Sequence, residues 1–345
     1  MIVNNFELGE FNKPYIIAEL SANHGGSISR AKKSISEAAK CGVSAVKIQT
    51  YTPDTMTIKC DKQDFYVSDG LWSGRQLYDL YEEAYTPFEW HKELFEHAKE
   101  VGITLFSTPF DETAVDLLES LNTPAYKIAS FEIIDLPLLE YVSSKQKPIF
   151  LSTGMASKDE IQEAVNTIRK INDNEILLFH CISSYPTPTE KSHLRNIHYL
   201  REKFGVKVGL SDHTFSNLAA IVAIGMGAVA IEKHFKLDQE DCGPDSSFSL
   251  DVSQLSELVN DCNMAWSAKG KTSFRRADIE KENKVFRRSL YFINNLKKGD
   301  KIKESDIRRI RPGYGLSPKH YDEIIGKKLT KSVEKGDPVS WDDFS

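Results

Sequence analysis

Apolar runs of strand length recur along the chain, and each gives way to residues able to hold an anion, a metal ion or a sugar. They end as Ile17-Ala18-Glu19, Val46-Lys47-Ile48-Gln49, Phe106-Ser107-Thr108, Lys127-Ile128-Ala129-Ser130, Leu151-Ser152-Thr153, Phe179-His180-Cys181, Leu210-Ser211-Asp212-His213 and Ile231-Glu232-Lys233-His234. Between them lie helical patterns over 30–41, 87–100, 111–120, 137–144, 158–170, 191–203 and 217–225. This alternation predicts parallel strands joined by helical crossovers. Eight units favour a closed (β/α)8 TIM barrel over an open doubly wound sheet. The first strand also leads into Ser21-Ala22-Asn23-His24-Gly25-Gly26 rather than the glycine fingerprint of a dinucleotide fold. In such a barrel the C-terminal strand ends share one face, so their polar residues are expected to line one pocket.

At 345 residues the chain fits a barrel of about 250 residues with a small appendage. Segment 52–85 is long for a connection and holds Gly70-Leu71-Trp72 before a polar-aromatic helix near 77–85. It reads as a functional lid or as an extra helical hairpin over the barrel. Near 268–285 the sequence turns basic and polar, with Lys269, Lys271, Arg275, Arg276, Lys281 and Lys284, and reads as a linker. Beyond it, Lys297-Lys298-Gly299-Asp300 and Glu334-Lys335-Gly336-Asp337 each precede a renewed β-like run, as in a compact β-clip-like domain. The expected division is a barrel domain over 1–267, a linker over 268–287 and a small domain over 288–345.

Charge and composition act mainly by exclusion. With 44 Lys and Arg against 50 Asp and Glu, and a net charge of −6, no broad basic surface for nucleic acid is expected. An anionic ligand must then be held by local clusters of cations. The cysteines Cys41, Cys60, Cys181, Cys242 and Cys262 are odd in number and form no CxxC pair, as suits reduced thiols in a cytoplasmic protein. A buried, unreactive thiol is the commoner role for each. No run approaches the ~18 apolar residues of a membrane span, so no membrane association is expected.

Lys47 and Lys127 sit inside apolar strands, where a buried ammonium needs an anion. Taken singly, each fits a salt bridge to an inward carboxylate such as Glu19 or Glu232. Taken together with Ser130, Ser152, Thr153 and Ser211, they fit a cradle for phosphate or carboxylate, and phosphoenolpyruvate carries both groups. His213 and His234 end consecutive strands and can reach one metal ion, with Glu232 on the strand parity of His234 as an orienting carboxylate. Two imidazoles, oxygen ligands and no thiolate favour Mn2+ or Mg2+ over structural zinc. Asp245 lies in the loop after strand eight, over the same face, or serves as a turn cap. Tyr185 after strand six stacks on a ligand or packs its loop.

Ile17 to His24, Lys47-Ile48-Gln49-Thr50, Tyr126-Lys127-Ile128-Ala129-Ser130, Leu151-Ser152-Thr153-Gly154-Met155, Gly209-Leu210-Ser211-Asp212-His213 and Glu232-Lys233-His234-Phe235 together resemble the sialic acid synthase family. The resemblance covers nearly the whole chain and implies that the C-terminal part is that family's antifreeze-like domain. The run Lys47 to Asp54, Gly70-Leu71-Trp72 and Phe248-Ser249-Leu250-Asp251 look most like its pseudaminic acid synthase branch. Ser183 stands where the neuraminate enzymes carry asparagine. The implied reaction condenses phosphoenolpyruvate with an amino-sugar aldehyde, here 2,4-diacetamido-2,4,6-trideoxy-altropyranose, to give a nine-carbon 2-keto acid and phosphate by C–O cleavage. Legionaminate or N-acetylneuraminate synthesis is the alternative within the family.

By match of motif, Lys47, Thr108, Lys127, Ser130, Ser152, Ser183 and Ser211 are implied to bind substrate, and His213 with His234 to bind the metal. Glu19, Glu132, Tyr185 and Asp245 fall where the family contacts water or sugar hydroxyls, with Glu19 or Glu132 as the proton acceptor. Arg311 matches an arginine that the family's small domain lends to a partner's site, which implies a domain-swapped homodimer. A sugar-binding barrel without turnover is the reading from another class. It predicts losses among the strand-end groups, yet Lys47, Lys127, His213 and His234 are all present.

Overall fold

The computed structural model describes residues 1–171, 175–238, 243–272 and 278–345. Cys242, Arg275 and Arg276 lie outside the described residues. Eight parallel strands close in chain order into a barrel: β1 Tyr15–Glu19, β2 Ala45–Thr50, β3 Thr104–Pro109, β4 Tyr126–Ile128, β5 Ile149–Ser152, β6 Ile176–Cys181, β7 Lys207–Asp212 and β8 Ala230–His234, which returns to β1. The barrel expected from the strand and helix pattern is therefore observed.

Strand alternation divides the lumen by depth. Ile17, Ala45, Phe106, Phe150 and Ala230 pack its lower part, while two residues further along the same strands stand Glu19, Lys47, Thr108, Ser152 and Glu232. Tyr15, at the start of β1, belongs to the same apolar cluster. Side chains of one parity share one face, so the strands that fill the barrel below supply the polar groups above. Gly209 on β7 leaves room for this packing, since a Cβ there would lie 2.6 Å from the Phe179 ring. An N-terminal hairpin, Ile2–Val3 with Phe6–Glu7, places Met1, Val3 and Leu8 in the lower cluster. Two-residue strands carry no readable period, and the sequence pattern gives no sign of them.

The helices pack on the outside. Ile28–Lys40 (α1) opens on Ser27, whose hydroxyl accepts from the Arg30 amide, and buries Ala31, Ile35 and Ala38 at helical spacing. The pattern expected over 191–203 forms a helix only at Asn196–Phe204, because His193 takes a φ of 45° and turns the chain first. An unforeseen helix, Val252–Lys269, extends to the end of the barrel unit. Within 52–85 the structure has short turns at Pro53–Met56 and Gln63–Phe65, then a helix Leu77–Ala84.

The chain forms two compact units, Met1–Gly270 and Lys271–Ser345. In the second, Ser289–Phe292 (β9) pairs antiparallel with Ile307–Ile310 (β10) over a core that includes Leu290, Phe292, Ile302 and Ile324. The two Lys-Gly-Asp turns repeat one geometry. Asp300 accepts from the Lys297 amide and Asp337 from the Glu334 amide, each at 2.8 Å. Among the described residues no helix is long and apolar enough to cross a membrane.

Candidate active site

The register of the barrel sets Glu19 beside Lys47 on one side and His234 on the other, and Glu232 beside Ser211. The result is a buried ionic cluster. Lys47 Nζ lies 3.0 Å from Glu19 and 3.5 Å from Glu232, and Lys127 Nζ lies 3.0 Å from Glu232. Burial alone would raise the Glu232 carboxyl, but Lys127 and Lys47 outweigh it and hold the group down at about 2. Glu19 is pushed up by burial and by the negative charge of Glu232, against the pull of Lys47. Burial lowers Lys127, whereas Lys47, opposed by the same burial, is carried upward by its two carboxylates. The salt bridges expected of the two lysines taken singly are therefore present.

Thr108 accepts from Lys47 at 3.2 Å, and Ser211 donates to Glu232 at 3.3 Å. Ser152 is buried, and its hydroxyl has no hydrogen-bond partner. Ser130 accepts from the Gly154 amide at 3.1 Å, and Ser183 also closes on Gly154. Thr153, expected in the cradle, instead donates to the Phe179 carbonyl at 3.0 Å and belongs to the barrel wall.

His213 and His234 face one another with ring centroids 5.5 Å apart. His213 Nδ1 lies 3.0 Å from the Ile182 carbonyl, which can only accept, so Nδ1 carries the proton and Nε2 is left for a ligand. Burial, His213 and the nearby lysines hold His234 well below the usual imidazole range. It is the neutral form that binds metals. Its Nδ1 is buried without a hydrogen-bond partner, and Asp245 approaches that atom to 3.8 Å. Glu232 pairs with the lysines instead, and it is Asp245 that approaches the His234 ring nitrogen. Among the described residues no three His, Cys, Asp or Glu side chains converge as a metal cage. The donors present, two imidazoles with an orphaned nitrogen and one carboxylate nearby, fit a divalent ion that takes its remaining ligands from water and substrate.

Two residues left without a role by sequence tie the site together. Gln49 donates to Glu19 at 3.1 Å and to Ser21 at 3.0 Å, and Ser21 donates to Asp245. Gln49 shares the strand parity of Lys47, which is the signal that could have found it. Above the histidines stands an aromatic wall. The ring centroid of Tyr185 lies 4.3 Å from that of His213, 5.0 Å from that of Phe248 and 5.8 Å from that of Trp72. The Trp72 indole donates to the Pro244 carbonyl at 3.0 Å, which ties segment 52–85 to the loop after β8.

Glu132 sits in the turn Phe131–Ile134 after β4, where burial pushes its carboxyl up to about 7. Its Oε2 is buried without a partner. Arg311 is exposed in the C-terminal unit, just after β10.

Comparison with known proteins bears out the resemblance read from the motifs. The NeuB family model matches residues 34–274, and the SAF domain model matches 287–345. The chain is 43% identical over 341 residues to a pseudaminic acid synthase of Campylobacter jejuni (strain 81-176), covering 98% of this chain and 99% of that one. It is 43% identical to a pseudaminic acid synthase of Helicobacter pylori, covering 96% and 98%. The structure resembles the N-acetylneuraminic acid synthetase of Leptospira borgpetersenii solved in complex with citrate, with a TM-score of 0.74, 29% identity and coverage of 82% and 94%. With matches that span nearly all of both chains, and a model that covers most of the barrel, the chain belongs to the NeuB family.

Proposed function

We propose that this chain is a pseudaminic acid synthase, which condenses phosphoenolpyruvate with 2,4-diacetamido-2,4,6-trideoxy-altropyranose and releases phosphate by C–O cleavage. The observation that carries the reading is a pair of facing imidazoles beside a two-lysine, hydroxyl-lined cradle at the C-terminal end of the barrel. Lys47, Thr108, Lys127, Ser130, Ser152, Ser183 and Ser211 would bind the phosphate and carboxylate of phosphoenolpyruvate. His213 and His234 would hold Mn2+ or Mg2+, a Lewis acid able to polarise the sugar aldehyde.

Carbon 3 of phosphoenolpyruvate then attacks carbon 1 of the sugar. Positive charge develops at carbon 2, where water adds before phosphate leaves. Glu132 is the proposed acceptor of the water proton, because its value near 7 and its uncommitted oxygen suit a base at neutral pH, whereas Glu19 is engaged by Lys47 and Gln49. Tyr185 and Asp245 would meet sugar hydroxyls.

Arg311 is proposed to complete the sugar site of a partner subunit in a domain-swapped homodimer. The reaction is placed in the cytoplasm, a setting that the free thiols Cys41, Cys60, Cys181 and Cys262 suit.

A panel of aldehyde sugars, run with and without chelator while phosphate release is measured, tests the reading. The diacetamido trideoxy sugar should give the highest kcat/KM, and chelation should abolish turnover. Preference for N-acetylmannosamine would reassign the chain to neuraminate synthesis, and sugar binding without phosphate release would leave a non-catalytic barrel.

A further inference from the structure

One carboxylate oxygen at the centre of the cradle gathers the donors that an incoming anion needs. Glu232 Oε1 lies 3.0 Å from Lys127 Nζ, 3.5 Å from Lys47 Nζ and 3.3 Å from Ser211 Oγ. Its second oxygen, Oε2, is buried with no hydrogen-bond partner. With Glu19 3.0 Å from Lys47, both ammonium groups of the cluster are already paired with carboxyl groups before a ligand enters. A fully ionised phosphate entering here would draw the lysines away from Glu232. A buried carboxylate would then stand unpaired beside a multiply charged anion, an arrangement with a heavy desolvation and repulsion cost.

The conflict disappears if the anion brings a proton with it. We propose that the cradle takes its phosphoryl ligand as a hydrogen phosphate whose P–OH donates to Glu232, so that Glu232 selects against tetrahedral anions that carry no proton. Sulfate is such an anion: similar in shape, doubly charged and able only to accept. Each cation that the cradle offers a sulfate is one that Glu232 already uses, and the orphaned oxygen gains nothing in exchange. The inference rests on the synthase reading for the identity of the natural ligand, phosphoenolpyruvate. The selectivity between inorganic anions follows from the cradle alone.

The test compares inorganic phosphate with inorganic sulfate on the full-length enzyme, at matched ionic strength and one pH near the second ionisation of a phosphate ester, about 6. Both are measured as competitors of phosphoenolpyruvate and by calorimetry. Phosphate should bind more tightly by tenfold to a hundredfold, on the order of one charge-assisted hydrogen bond. In Glu232→Gln the carboxamide can donate where the carboxylate only accepts, so the ratio should fall towards one, with thermal unfolding as the check on the fold. Should that variant fail to fold, the ratio in the unsubstituted enzyme decides alone. Sulfate binding within twofold of phosphate would overturn the proposal, as would a ratio unchanged in a folded Glu232→Gln. Absence of phosphate release with every sugar would sink the synthase reading instead, and calorimetry would still decide the selectivity.

Discussion

Gly154 packs against Ser130 and Ser183, two hydroxyls of the proposed cradle, and adding one carbon there perturbs them without touching a charge. A Cβ built on Gly154 would collide with Ser183 Oγ and lie 2.7 Å from Ser130 Oγ and 3.1 Å from Ser130 Cβ. The Ser183 hydroxyl can swing aside. Ser130 cannot do so freely, because its Oγ accepts from the Gly154 amide at 3.1 Å and its Cβ is fixed by the backbone. Overpacking of this kind costs about 1–3 kcal/mol, some of it relieved by rotation of Ser183. If about 1.4 kcal/mol of the remainder falls on the bound anion, KM for phosphoenolpyruvate in Gly154→Ala rises about tenfold. Steady-state phosphate release, with phosphoenolpyruvate and then the sugar varied, separates the two substrates, and thermal unfolding reports the loss of stability. The KM of the sugar should stay within twofold. Adding Ser183→Gly should recover part of the loss, since it removes the colliding hydroxyl. A KM for phosphoenolpyruvate unchanged in Gly154→Ala would show that Ser130 and Ser183 do not line the anion site.

His213→Ala or His234→Ala should abolish turnover and weaken Mn2+ binding in calorimetry while the circular dichroism spectrum stays native; full activity of a chelator-treated enzyme would contradict the role of the pair. Glu132, raised to about 7, keeps its proton in the fold over a range where the unfolded chain has lost it. Stability therefore falls as pH rises from about 4.5 to 7, by at most about 3 kcal/mol, and Glu132→Gln should be the more stable protein at pH 8 but not at pH 4 in urea titrations. The same substitution should remove the rise of kcat through pH 7 and cost about 10²–10⁴ in rate if Glu132 accepts the water proton. Trp72→Ala should narrow the preference for the diacetamido trideoxy sugar over N-acetylmannosamine by about tenfold, since the apolar wall that Trp72 forms with Tyr185 discriminates modestly against an added hydroxyl; an unchanged ratio of kcat/KM would remove Trp72 from the sugar site. Co-expressed His213→Ala and Arg311→Ala chains, each inactive alone, should regain activity as heterodimers, and no recovery in confirmed heterodimers would place the action of Arg311 within its own chain.

The barrel was legible because its strands end in chemistry: polar residues at the ends of eight successive strands have few explanations other than one shared face. Elements not predicted by the sequence are weaker in pattern or have partners distant along the chain. The helix Val252–Lys269 does carry a signal, an Asp251 and Gln254 capping box followed by apolar Leu255, Leu258, Val259 and Cys262, but polar residues interrupt the apolar spacing along its length. Thr153 shows another limit. A hydroxyl at a strand end serves the lumen or a neighbouring carbonyl equally well on paper, and only the fold assigns it to Phe179. Glu232 shows a third, because parity with His234 brought it to the right face but could not tell that two lysines would claim it.

The most direct test of the account follows one oxygen atom. Phosphoenolpyruvate labelled with 18O at the bridging position, incubated with the enzyme, Mn2+ and 2,4-diacetamido-2,4,6-trideoxy-altropyranose, is analysed by mass spectrometry of both products. If water adds at carbon 2 and phosphate leaves by C–O cleavage, the released phosphate retains the label and the nine-carbon 2-keto acid takes its carbon 2 oxygen from solvent. Label found in the keto acid, or no phosphate released with this sugar, would contradict it.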